Sequence, residues 1–81
     1  MPRYILGWVD VALEQYIALA PDRQQVIDQR IAQLLEQPDD ADCSHDPVSD
    51  HWTTTDAAGA GLIVYVFRSG RPRLVILRLV Y

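Results

Sequence analysis

The spacing of apolar residues changes character along the chain, and each change marks an element. Residues 4–9 form a short apolar run rich in β-formers and broken only by Gly7, which predicts a strand. Asp10 follows as a candidate N-cap, its carboxylate able to accept from the free amides of a first helical turn. Over residues 11–19 and just beyond, Ala12, Leu13, Tyr16, Ile17 and Ala20 recur at helical spacing. Pro21 ends that helix and suits the first turn of another, with Asp22 and Gln25 spaced as a capping box. Val26, Ile27, Ile31, Leu34 and Leu35 then make an apolar stripe, while Gln24, Gln25, Asp28, Gln29, Gln33 and Glu36 fall on the wet side. Pro38 closes this second helix, so the two form a helical hairpin.

Residues 38–51 hold two prolines and five aspartates with no apolar period, the signature of a loop. Trp52 and three threonines predict a short strand over residues 51–55. Residues 56–61 read as a turn, 62–68 as a strongly apolar strand, 69–70 as a tight turn and 72–81 as a closing strand. The expected fold is α+β, in the order β-α-α-β-β-β. The helical hairpin lies on one face of a mainly antiparallel four-stranded sheet, all within a single domain over residues 1–81.

The last hairpin carries a stronger inference. If Ser69 and Gly70 form a two-residue loop, Arg68 pairs with Arg71, Val64 with Val75 and Leu62 with Leu77. Alternate residues share a face. One face then holds Leu62, Val64, Val66, Arg73, Val75, Leu77, Leu79 and Tyr81, and the other Ile63, Tyr65, Phe67, Leu74, Ile76, Arg78 and Val80. Both are apolar, whereas an antiparallel sheet with one wet side alternates. Helices can cover one of them. The second is expected to meet a partner chain or a second copy through Leu62, Val64, Val75, Leu77 and Leu79.

Composition adds limits. The chain has 81 residues, 49% of them apolar and 22% charged, enough for one domain whose core is small. No apolar run approaches the roughly 20 residues of a membrane span, and the N-terminus does not read as a signal peptide. The single cysteine, Cys43, fits a reducing compartment, so the expected location is the cytoplasm. The net charge of −4 is uneven: residues 1–56 contain all eleven acids and three arginines, residues 57–81 four arginines and no acid. The overall field repels phosphate, but Arg68, Arg71, Arg73 and Arg78 can still make a local basic patch.

Several other groupings read as structure. Cys43, His45, Asp46, Asp50 and His51 lie close in sequence, yet their spacing matches no zinc site; they read as a solvated acidic loop, with neither metal nor cofactor expected. No third group orients a Cys–His nucleophile. Gly59-Ala60-Gly61 precedes a strand rather than a helix, so it is no phosphate cradle. Trp8, Trp52, Tyr16 and Tyr65 read as packing residues.

Residues 12–38, ALEQYIALAPDRQQVIDQRIAQLLEQP, and residues 63–81, IVYVFRSGRPRLVILRLVY, together resemble the RelE/ParE superfamily of small toxins. The tail is most similar to the YoeB branch: Ile63-Val64-Tyr65 matches its "LVY" strand, and Arg78 and Tyr81 match its terminal arginine and tyrosine. The resemblance implies the toxin of a type II toxin–antitoxin pair, held by a cognate protein antitoxin. In the family's ribosome-dependent RNases an arginine before "LVY" steadies phosphate charge, and a histidine beside the last tyrosine, with an upstream glutamate, moves protons. Here those arginine and histidine positions are Leu62 and Val80, and residues 38–51 offer no counterpart of the glutamate. Three readings follow: a toxin acting on another target such as gyrase; an mRNA-cutting endoribonuclease with a different set; or a noncatalytic module that binds a partner or itself. For the second, Tyr81, Arg78 and Arg73 are the candidate catalytic residues, with His51 as a further candidate, and Arg68 and Arg71 are the candidate phosphate holders.

Overall fold

A computed structural model describes residues 3–80. Its elements run β1 (Ile5–Trp8), α1 (Asp10–Ile17), α2 (Pro21–Glu36), β2 (Ser44–Asp46), β3 (His51–Thr55), β4 (Leu62–Arg68) and β5 (Arg73–Val80). The five strands form one sheet in the order β1-β5-β4-β3-β2. β1 lies parallel to β5, and every other pairing is antiparallel. The expected α+β architecture therefore holds, with one strand more than the residue pattern indicated. β2 is the addition. Its residues Ser44, His45 and Asp46 are all exposed, so no burial period marks them in the sequence.

The helix starts differ from the capping predicted for them. Asp10 is the first residue of α1, and the N-cap is Val9, without a side-chain cap. At that position the Asp10 carboxylate still favours the positive end of the helix dipole. Pro21 is at N1 of α2 as its fixed φ favours, but the N-cap is Ala20 and no capping box closes.

Both helices cover one face of the sheet. Ala12 of α1 and Ile27, Ile31 and Leu34 of α2 share a buried cluster with Tyr4, Ile63, Tyr65, Leu74, Ile76 and Leu79. Leu6 and Trp8 of β1 pack against it, as do Tyr16 and Leu19. Leu13 and Ile17, read as part of the buried stripe of α1, are exposed instead. Backbone bonds tie the layers: Arg3 and Tyr4 donate to the Leu35 carbonyl, and Val9 donates to that of Ile76.

The register of the last hairpin corrects the face assignment. The connection spans residues 69–72, so Arg68 pairs with Arg73 and Val66 with Val75. A β-bulge then interrupts the ladder: Tyr65 pairs with Ile76 but Val64 pairs with Arg78, leaving Leu77 as the extra residue. A bulge of this kind resets the alternation of every later side chain. Leu79 consequently pairs with Ile63 and is 4% exposed in the core; it does not belong to the second face. Val80 moves the other way, to lie opposite Leu62. The Leu79 amide is satisfied by the Gln15 carboxamide of α1, at 2.8 Å.

Candidate functional site

The face of the sheet away from the helices is the candidate site. Residues paired across a ladder share a face, so it carries Ile5 and Gly7 from β1; Arg73, Val75, Arg78 and Val80 from β5; Leu62, Val64, Val66 and Arg68 from β4; His51, Thr53 and Thr55 from β3; and Ser44 and Asp46 from the edge strand β2. Leu77, the bulged residue, is half-buried beside them. Its centre is apolar and its ends are basic.

At one end Leu62 and Val80 face each other, 41% and 40% exposed. Arg78 stands next to them, paired with Val64. Tyr81 lies outside the described residues. Arg73 is at the opposite end, with Arg68 as its cross-strand partner and Arg71 in the adjoining turn. The residues considered catalytic in the sequence are thus not gathered: Arg73 is five positions along β5 from Arg78, while the proposed phosphate holders Arg68 and Arg71 sit with Arg73. His51 pairs with Asp46 at the far side of the sheet.

Gly7 positions Arg73. A Cβ built on Gly7 would come within 3.3 Å of the Arg73 guanidinium and 3.5 Å of Val75. The bare backbone lets the arginine lie across β1, a close approach of the kind that glycine inside a strand often marks. Beside it, Ile5, Arg71, Pro72 and Arg73 line a hollow of about 200 Å³.

On the helix side lies a buried polar network that no local sequence pattern marks. Arg30 falls between Ile27 and Ile31 on α2 and is 5% exposed. Its guanidinium donates to both Asp40 carboxylate oxygens, at 2.8 and 2.9 Å, to the Thr54 hydroxyl and to the Gln33 carboxamide. The Arg30 hydrogen bond holds the Asp40 carboxyl down at about 2. Cys43 donates to Asp40 and contacts Arg30, and burial pushes its thiol pKa up, which makes it a poor nucleophile. Burial likewise raises Tyr65, whose hydroxyl donates to the Pro38 carbonyl. Together these bonds lock the loop after α2 against β3 and β4. A polar cleft of about 520 Å³ opens beside them, lined by Arg30, Gln33, Asp42 and residues 55–59. Buried Asp56 accepts from the amides of Ala58, Ala60 and Gly61 and so shapes the turn before β4.

The acidic loop is organised by its own pairs. His45 bonds Asp50 at 2.8 Å and stacks on Trp52, and Asp50 also meets Arg68 at 3.4 Å. The His45 hydrogen bond lowers the Asp50 pKa. Asp50 adopts φ 58°, a conformation that aspartate tolerates better than most residues. Among the described residues no group of three or more His, Cys, Asp or Glu is placed to hold a metal ion, and no helix is long and apolar enough to cross a membrane.

No protein-family profile matches the sequence, and no curated protein matches it. Solved structures do. The chain overlays the Escherichia coli RelBE toxin–antitoxin complex with a TM-score of 0.82 at 14% identity, covering 95% of this chain and 94% of that one. It overlays the isolated E. coli RelE toxin equally well, covering 95% and 82%. A RelBE toxin–antitoxin complex from Mycobacterium tuberculosis gives 0.79 at 17% identity, covering 100% and 99%. The chain has the RelE fold. Identity this low establishes architecture, and function has to be argued from the site. Within the RelE fold this chain keeps the helical hairpin and sheet, and its own residues line the open face.

Proposed function

We propose that this protein is the toxin-like component of a type II toxin–antitoxin pair, bound by a cognate protein antitoxin, with the usual mRNA-interferase chemistry lost. The RelE fold over nearly the whole chain supports the first part. The second rests on one observation: Leu62 and Val80 stand together where the resemblance places a phosphate-binding arginine and a proton-moving histidine. Neither side chain titrates or donates, so neither can take a proton from a 2′-hydroxyl or steady a phosphorane. Arg78 remains beside them, but the histidine that alternation along β3 puts on this face, His51, lies level with Val66, toward the Arg68 end and away from Arg78. The similarity of Ile63-Val64-Tyr65, Arg78 and Tyr81 to the YoeB branch supports a relationship to that branch. A ribosome-independent target such as gyrase fits the missing set better than mRNA cleavage does.

A second reading is favoured by the apolar character of the same face, on which Ile5, Leu62 and Val80 are exposed: a noncatalytic binding module, or a homodimer joined there. Induced expression, alone and with the short antitoxin gene that this reading requires beside it, separates the two. Growth arrest relieved by co-expression, and unchanged by Arg78→Ala or Tyr81→Ala, is the expected result. Arrest abolished by Tyr81→Ala would restore the RNase reading. A harmless, well-expressed protein that forms dimers by light scattering would replace the toxin reading with the binding module.

A further inference from the structure

The open face is an apolar strip with arginines at both ends. Val64, Val66, Val75 and Leu77 make its floor, with Leu62 and Val80 exposed at one end and Ile5 at the other. Arg68 and Arg73 stand directly opposite each other, a like-charge pairing that destabilises a sheet on its own. Asp50 meets Arg68. Arg71, Arg73 and Arg78 have no carboxylate partner among the described residues, although the chain carries an excess of acids elsewhere. Gly7 fixes Arg73 beside the hollow formed with Ile5, Arg71 and Pro72.

We infer that this face binds an acidic, apolar segment of a partner protein. Its aliphatic side chains cover the strip, one carboxylate docks between Arg71 and Arg73, and a second meets Arg78. Charge complementarity selects this occupant. A second copy would set arginine against arginine at both ends, and a nucleic-acid backbone would leave the apolar floor uncovered. Arg73 and Arg78 are separated by roughly 15 Å at the rise of a strand, which sets the spacing of the partner's two acids. Guanidinium and carboxylate match as paired donors and acceptors. The inference rests on the proposed toxin–antitoxin reading for the identity of the partner, but its chemistry is tested without the antitoxin.

The test is a nuclear magnetic resonance titration of the full chain, labelled with nitrogen-15, against three probes. The first is a synthetic peptide with leucines and valines at its centre and glutamates at both ends. The second is the same peptide with lysine for every glutamate, and the third is a uridine oligonucleotide of similar length. The expected result is saturable shifts at Val64, Val66, Val75, Leu77 and the arginine side chains with the acidic peptide alone. Arg73→Glu with Arg78→Glu should weaken that binding at least roughly tenfold while leaving the remaining spectrum folded, since both side chains are exposed. No saturable shift with the acidic peptide, or equal binding of the lysine peptide, would overturn the inference. Binding of the oligonucleotide in place of the acidic peptide would make the face a nucleic-acid surface. Failure of the growth assay with these shifts present would remove the antitoxin and leave the acidic-segment site standing.

Discussion

Leu62 and Val80 are cross-strand partners on the open face of the sheet. Two aliphatic side chains therefore stand side by side at the positions where the resemblance to ribosome-dependent RNases puts a cation and a base. In a reconstituted translation reaction, mRNA on the ribosome is expected to stay intact with this protein present, as read by primer extension. Cuts that disappear with Arg78→Ala or Tyr81→Ala would show that a different set of residues does the chemistry.

The bulge at Leu77 separates two leucines that simple alternation puts on one face. Leu77→Asp should leave the fold intact and weaken association through the open face. Leu79→Asp places a carboxylate in the core and should unfold the chain, a loss of several kcal/mol at least. Circular dichroism distinguishes them, and an unfolded Leu77→Asp variant would contradict the register.

Arg30 and Asp40 hold the loop after α2 through two charge-assisted hydrogen bonds. Asp40→Ala leaves a buried guanidinium without its carboxylate and should cost about 3 kcal/mol. Arg30→Met combined with Asp40→Ala removes both charges and should recover much of that loss. Urea denaturation of the wild type, the Asp40→Ala and Arg30→Met single variants and the double variant gives the comparison, and an additive double variant would argue against coupling.

The same pair sets an acid limit. Asp40 titrates at about 2 in the folded protein against 3.8 unperturbed. A carboxyl depressed by folding contributes stability that is complete above the unfolded value and disappears as pH falls through the folded one. Urea midpoints of the wild type should therefore drop between about pH 4 and about pH 2, more steeply than those of the Arg30→Met, Asp40→Ala variant. Parallel curves would place the acid sensitivity elsewhere.

Gly7 offers a test that separates stability from recognition. Its φ is unremarkable, and the first atom a new Cβ would meet is the far end of the flexible Arg73 side chain. Gly7→Ala should change stability by less than about 1 kcal/mol, with Arg73 displaced from the hollow. Thermal melting should stay close to wild type while binding of the acidic peptide falls. Unchanged binding would mean that Arg73 needs no seat on β1.

How far the sequence could be read depended on how local each feature is. Pro21 and the stripe of Val26, Ile27, Ile31, Leu34 and Leu35 announce α2, because helical periodicity and a fixed proline φ act within a few residues. Gly7 inside an apolar strand hints at a close approach but does not name Arg73 as the neighbour. Arg30 sits at stripe spacing, and only its position hints at burial. Its partners Asp40 and Thr54 come from other elements, beyond any local pattern. β2 has no local signature, because none of its residues is buried.

By itself, the sequence determined the helical hairpin, the apolar last strands, the acidic loop and the confinement of four arginines to the final quarter. These follow from composition and short-range spacing. The tertiary structure alone decided which residues share the open face. A four-residue connection and one extra residue at Leu77 turned Leu79 inward and brought Val80 beside Leu62. In a sheet whose two faces are both apolar, shifting a strand by one residue exchanges one hydrophobic set for another, so the pattern of side chains cannot select the register. Packing against α1 and α2 selects it.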